Sequence, residues 1–114
     1  MSTQTVFPPE FAPHPPPFAV ESQLDGDLLT IAIVGELDIA TVGVLEGVLR
    51  DLQGRYRTLH YDLADLVFMD TAGLRALVAP AGHDPPVSGI SVLDPAPCVR
   101  RLLQLGGMQG LVPA

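Results

Sequence analysis

Alternation of apolar and polar residues divides the first half of the chain into a β-hairpin and a helix. FAVESQ (residues 18–23) alternates as a half-buried strand does, and LLTIAIVG (28–35) predicts the second strand of the hairpin. Apolar residues then recur at helical spacing over residues 40–54. Asp38 is the predicted N-cap of this helix and Gly54 its predicted C-cap.

The second half continues with strands and helices in alternation. A short apolar run at residues 66–69 ends directly before one of the predicted helices, and prolines within residues 80–86 stop that helix early. The predicted elements are strands at 58–63 and 89–94 and helices at 71–79 and 97–105. The order β-β-α-β-α-β-α predicts an α/β fold with a mixed sheet and helices packed against it.

The first 17 residues differ in composition from the rest of the chain. They hold six of the twelve prolines, and proline removes backbone donors and disfavours helix for its predecessor. We therefore predict a disordered, proline-rich tail over 1–17 and one folded domain over 18–114. A ligand for a proline-binding module is the alternative interpretation of the tail.

Charge and hydropathy narrow the class of partner. The formal net charge of −7 opposes binding to nucleic acid and favours a partner with a basic docking surface. No apolar run approaches the roughly 20 residues of a membrane span, and the start of the chain does not have the pattern of a signal peptide. We predict a cytoplasmic protein that contacts neither membrane nor nucleic acid directly.

Signals for catalysis or for a bound cofactor are weak. His14, His60 and His83 are scattered, and neither a zinc-binding spacing nor a glycine-rich phosphate loop is present. Cys98, the single cysteine, is predicted to be a small buried apolar residue. The sequence thus predicts a protein that is not an enzyme, with no catalytic residue, metal site or cofactor.

Carboxylates instead gather at the predicted ends of strands. Glu36 and Asp38 follow the second strand, and Asp70 follows the apolar run before Thr71. If these strands are neighbours, the Thr71 hydroxyl lies among acidic groups. Helix capping by Asp38 and Asp70 is the alternative explanation, and metal binding by three carboxylates is a weaker one. Gly73 has no side chain, which predicts that a partner surface can approach closely here.

At these residues the chain resembles the STAS domains of bacterial anti-sigma factor antagonists. The resemblance rests on GELDIATVGVLEGVL (35–49), DLADLVFMDTAGLRALV (62–78) and DPAPCVRRLLQLGGMQGLV (94–112), and it covers about residues 18–113. It implies a mixed four- to five-stranded sheet with helices packed mainly on one face.

The resemblance also implies a function in partner switching. In the family, the unphosphorylated antagonist binds an anti-sigma factor that is also a serine/threonine kinase. The kinase uses its own ATP and magnesium to phosphorylate the hydroxyl after the motif aspartate, and the complex dissociates. In this chain that hydroxyl belongs to Thr71. The implied partner-binding residues are Glu36, Asp38, Asp70, Ala72, Gly73 and Leu74.

Three features depart from the family pattern. The acceptor is threonine rather than the commoner serine, Ala72 replaces a second hydroxyl, and prolines at 80–86 interrupt a helix that is normally longer. The alternative function is therefore a non-switching STAS scaffold or sensor that binds a small molecule or other STAS proteins. A monomer and a weak dimer both remain compatible with the sequence.

Overall fold

The computed structural model describes residues 3–6, 17–82 and 87–107, which form one mixed sheet and three helices. A 3₁₀ turn, Ala79–Gly82, follows the second helix. The strands are β1 Thr3–Val6, β2 Ala19–Asp25, β3 Leu28–Leu37, β4 Thr58–Asp62, β5 Leu66–Met69 and β6 Gly89–Leu93. The helices are α1 Val42–Asp51, α2 Thr71–Val78 and α3 Pro97–Leu105.

The sheet has the strand order β1-β2-β3-β4-β6, and β5 pairs with the end of β3. β1, β2 and β3 are antiparallel, whereas β4 and β5 run parallel to β3, and β6 runs parallel to β4. The predicted mixed α/β sheet is confirmed, with six strands rather than four or five. The additional strands, β1 and β5, have four residues each, too few to display a clear alternation.

Four residues of the segment that was predicted to be a proline-rich tail form a strand. Thr3–Val6 pairs antiparallel with β2, from Thr3 opposite Gln23 to Val6 opposite Val20. These four residues, TQTV, contain no proline, so each can take part in the ladder of an edge strand. Residues 1–2 and 7–16, including His14, lie outside the described residues.

The hydrophobic core lies between the helices and one face of the sheet. Ile31, Tyr61 and Val92 are register partners across three strands, and all three are fully buried. The neighbouring row on the opposite face, Thr30, His60 and Ser91, is only half-buried. The three helices pack against the apolar face through the buried side chains of Leu45, Leu77 and Leu103. This arrangement confirms that the helices pack mainly on one face.

The helix boundaries differ from the predicted ones chiefly in α1. This helix begins at Val42 and ends at Asp51, with Leu52 as its C-cap, so Gly54 lies beyond the cap. Gly54 instead lies in the turn that follows the helix. Its φ is 86°, a conformation that glycine adopts without strain. α3 has the predicted bounds, and α2 ends one residue early.

One buried hydroxyl joins the sheet to α2. The Tyr61 hydroxyl donates a hydrogen bond of 2.8 Å to the carbonyl oxygen of Leu77, in the last turn of α2. Burial raises the pKa of Tyr61 well above its usual value of 10.0, and the nearby Tyr56 raises it further. The Tyr56 hydroxyl is also buried but has no hydrogen-bond partner among the described residues.

This pair of tyrosines predicts a dependence of stability on alkaline pH. A raised pKa in the folded state means that the unfolded chain loses its proton first, so stability falls as the pH rises above about 10. The chain contains no lysine, so tyrosine ionisation dominates this range. Tyr61→Phe should lower the free energy of unfolding by about 1 kcal/mol at neutral pH and reduce its decline above pH 10. Urea denaturation at both pH values measures the two effects.

Tyr56→Phe is the matched control for this substitution. It removes a hydroxyl that is also buried but makes no hydrogen bond within the described residues, so stability at neutral pH should stay the same or rise slightly. A loss of stability in Tyr56→Phe equal to that in Tyr61→Phe would contradict the assigned role of the bond to Leu77.

Candidate functional site

The site is built around the first turn of α2, which Asp70 caps. One carboxylate oxygen of Asp70, Oδ1, accepts a 3.0 Å hydrogen bond from the backbone N–H of Gly73. The Asp70 backbone is extended, as in an N-cap residue, and its carbonyl accepts the first helical bond from Leu74 at 3.0 Å. The prediction that Asp70 caps this helix is confirmed.

The same carboxylate also holds a second segment of the chain. Asp70 Oδ2 accepts a 3.3 Å hydrogen bond from the backbone N–H of Ile39, in the loop between β3 and α1. In addition, the Asp70 N–H donates to the carbonyl of Leu37, the last residue of β3, at 3.2 Å. Asp70 therefore fixes the loop after β3 against the start of α2, and the two loops form one surface.

Asp38 orders that loop through a turn rather than by capping α1. Its Oδ1 accepts backbone hydrogen bonds from Ala40 at 2.9 Å and Thr41 at 3.2 Å. The Thr41 hydroxyl donates to the carbonyl of Glu36 at 2.7 Å and accepts from the N–H of Asp38 at 3.0 Å. The predicted N-cap role of Asp38 is wrong, because α1 begins at Val42 with Thr41 at its N-cap position.

Thr71 occupies the first position of α2 with its side chain exposed. Within the described part of the chain, its hydroxyl has no hydrogen-bond partner. The adjacent Ala72 is half-buried, and Glu36, on the neighbouring end of β3, is exposed. A reactive partner can therefore reach the Thr71 oxygen without displacing an existing contact.

Two of the predicted partner-binding residues are buried in the structure. A Cβ added to Gly73 would lie 2.8 Å from the carbonyl oxygen of Leu37 and 2.8 Å from Cγ of Met69. Gly73 thus lets α2 pack closely on β3. Leu74 is buried in the core and packs against Gly106 at the end of α3.

Exposed apolar side chains lie on residues near Asp70 in the chain or bonded to it, and the sequence pattern did not predict them. Ile39 is 81% exposed beside the Asp70 carboxylate, and Phe68, three residues before Thr71, is 48% exposed. A bulge in the pairing of β5 with β3 breaks the alternation, so Val67 and Phe68 both point outward. Ile39, Thr71 and Phe68 form the exposed part of the site, referred to below as the Thr71 surface.

A shallow groove of about 200 Å³ lies next to Phe68, between β5 and α3. Cys98, Arg101 and Leu105 are among its lining residues. The prediction that Cys98 is buried is wrong, because it lies exposed in the first turn of α3. Its thiol donates to the carbonyl of Val67, the bulged residue of β5, at 3.4 Å.

The carboxylates of Glu36, Asp38 and Asp70 do not converge as metal ligands would. Asp38 and Asp70 turn their oxygens to backbone N–H groups, and Glu36 is exposed. Over residues 3–6, 17–82 and 87–107, no group of three or more histidine, cysteine, aspartate or glutamate side chains could hold a metal ion. The same residues include no helix long and apolar enough to cross a membrane.

Fold and site together define a small α/β domain with an exposed hydroxyl at the start of a helix. The chain belongs to the STAS-domain family, since residues 20–113 match the family model described as Mlab, STAS domain. The predicted resemblance to STAS domains is thereby confirmed. No protein of curated function matches the chain.

Solved structures of anti-sigma factor antagonists have a similar fold. Unphosphorylated SpoIIAA matches with a TM-score of 0.72 and 23% identity, over 84% of this chain and 85% of that one. The phosphorylated form of SpoIIAA, a Bacillus cell fate determinant, matches with a TM-score of 0.66 and 22% identity, over 84% and 88%. An antagonist from Mycobacterium paratuberculosis gives 0.72 and 22%, over 88% and 86%. At these identities the similarity establishes the fold.

Proposed function

We propose that this chain is an anti-sigma factor antagonist controlled by phosphorylation of Thr71. In its unphosphorylated form it binds an anti-sigma factor with serine/threonine kinase activity, and phosphorylation releases that partner. The observation that carries the proposal is the exposed Thr71 hydroxyl at the start of α2, free of hydrogen bonds within the described residues. The STAS fold, shared with antagonists that include a phosphorylated form, supports it.

The covalent step requires only an accessible oxygen from this chain. The Thr71 oxygen forms a bond to the γ-phosphorus of ATP, the bond from that phosphorus to the β,γ-bridging oxygen breaks, and ADP leaves. A base on the kinase takes the hydroxyl proton, and ATP with its magnesium belongs to the kinase. In this proposal the chain acts in the cytoplasm as a binding protein, with no catalytic residue or cofactor of its own.

Phosphorylation would change the Thr71 surface in two ways that oppose docking. It adds about −1.5 to −2 charges beside Asp70, Asp38 and Glu36, which are already acidic. It also places a strongly hydrated group on the surface to which the exposed side chains of Ile39 and Phe68 belong. A partner that covers these apolar side chains would have to desolvate the phosphate, which is unfavourable without a matching cation.

A charge at position 71 is therefore expected to weaken partner binding. Tagged wild type, Thr71→Ala and Thr71→Asp are used to capture proteins from the native cell lysate, and mass spectrometry identifies them. Affinity for the purified partner is then measured by calorimetry. Wild type and Thr71→Ala should retain an anti-sigma factor with an ATPase-type kinase domain, and Thr71→Asp should bind it about tenfold or more weakly, equivalent to 1.4 kcal/mol or more.

Gln53→Glu is the matched control for added negative charge. Gln53 is exposed just after α1. It lies near the end of the sheet where β4 begins, away from the start of α2. Thermal melting verifies that every variant is folded. If all four proteins retain the same partners, the proposed switch is wrong and a non-switching STAS scaffold or sensor becomes the better interpretation.

A further inference from the structure

Arg75 is an exposed cation one helical turn after Thr71. Four residues along α2 correspond to a rise of about 6 Å and to the same face of the helix. Although the chain carries thirteen acidic residues, the Arg75 side chain forms no ion pair with any described residue. It is therefore free to accept a new anion that appears at position 71.

We propose that Arg75 is the phosphate-binding residue of the phosphorylated state and forms an ion pair with phosphothreonine 71 across one turn of α2. This inference rests on the proposed function, because it concerns the modified form of Thr71. The order of charges is the favourable one, since the anion lies toward the N-terminus of the helix and the cation follows four residues later. An arginine also matches a phosphate with two parallel hydrogen bonds.

The ion pair would offset repulsion between the phosphate and the carboxylates near Thr71. Asp70 directly precedes Thr71, and its hydrogen bond to Ile39 holds the loop that carries Asp38 beside it, so a phosphate here would be repelled by these carboxylates. Without a cation, their repulsion would work against the hydrogen bonds by which Asp70 caps α2 and holds Ile39. With Arg75 bound to the phosphate, the surface changes its charge while the capped helix is retained.

Other charged side chains lie on elements that pack near α2. Glu46 and Arg50 of α1 line a groove with Ala76 and Ala79, further along the helix than Thr71. Arg101 of α3 lines the groove beside Phe68 and Met69, closer to the site. Arg101 is therefore the competing candidate for the phosphate, and it must be tested beside Arg75.

The test uses the full chain with phosphothreonine installed at position 71 during translation, so it does not depend on a cellular kinase. Phosphorus-31 NMR follows the second ionisation of the phosphate, which has a pKa of about 6. A bound cation favours the dianion, so Arg75→Gln should raise this pKa by roughly 0.3 pH units relative to the unsubstituted phosphoprotein. Arg75→Gln should also lower the melting temperature of the phosphorylated protein more than that of the unphosphorylated one.

Arg55→Gln is the matched control for the loss of one positive charge. Arg55 is exposed in the turn before β4, at the end of the sheet opposite to Thr71. Its loss should therefore leave the phosphate pKa unchanged. An unchanged pKa in Arg75→Gln, or a shift produced by Arg101→Gln instead, would overturn the assignment. Failure of partner capture with the Thr71 variants would overturn the proposed function and leave this measurement unaffected.

Discussion

Replacing Gly73 by alanine is expected to destabilise the domain by about 2 to 3 kcal/mol, the range typical of overpacking in a filled interior. The new Cβ would lie 2.8 Å from the Leu37 carbonyl oxygen and 2.9 Å from Leu37 Cγ, as well as 2.8 Å from Met69 Cγ. Side chains can rotate away, but a backbone oxygen in the sheet cannot move without disturbing β3. The melting temperature should fall by about 10 °C or more in a domain of this size.

Gly47→Ala is the matched control, because it makes the same chemical change within α1. The nearest atom to a Cβ at Gly47 is the Arg50 guanidinium nitrogen at 3.7 Å, an ordinary contact. Alanine favours helix over glycine by up to about 1 kcal/mol, so this variant should be more stable than wild type. Thermal and urea denaturation of both variants test the difference in sign. Equal stability of Gly73→Ala and wild type would favour the original prediction that Gly73 leaves open space for a partner.

The sequence could predict the α/β fold because its longer elements carry strong patterns. LLTIAIV alternates with the period of a strand, and the matching rows of β3 and β4 are buried as that alternation requires. Pro97 at the first position of α3 and the glycines after Leu105 gave both bounds of that helix. β1 and β5 were not predicted as strands because four residues are too few to show periodicity. They form strands because they pair with β2 and β3.

The site could be predicted only in part, because some of its features are local in the sequence and others depend on tertiary pairing. The Asp70-Thr71 pair is local, so its cap and its exposed hydroxyl could be inferred from neighbouring residues. The exposure of Ile39 depends on a hydrogen bond across 31 positions, and that of Phe68 depends on a bulge between two strands. Both features arise from long-range pairing, which a pattern of adjacent residues does not contain. The close packing of Gly73 on β3 is also a long-range feature, so neighbouring residues in the sequence do not show it.

Loss of the Asp70 carboxylate is expected to have a double effect. Asp70→Ala removes the N-cap of α2, worth about 1 kcal/mol. It also removes the hydrogen bond that the Ile39 N–H donates to the ionised carboxylate, worth about 1 kcal/mol or slightly more. The free energy of unfolding should therefore fall by about 2 kcal/mol. Since Ile39 belongs to the Thr71 surface, partner binding should weaken even at temperatures where the variant is fully folded.

Asp70→Asn separates the two contributions. Asparagine is as good an N-cap as aspartate, so one oxygen can still accept from Gly73, but the amide nitrogen that replaces the second oxygen cannot accept from Ile39. This variant should lose about half as much stability as Asp70→Ala, and amide hydrogen exchange at Ile39 should accelerate in both. Asp62→Ala, which removes a local bond to the Ala64 N–H, provides a surface control with a smaller loss. Wild-type stability and unchanged Ile39 exchange in Asp70→Asn would show that the loop is held by Asp38 and Thr41 alone, and Ile39 would then be positioned independently of the helix that carries Thr71.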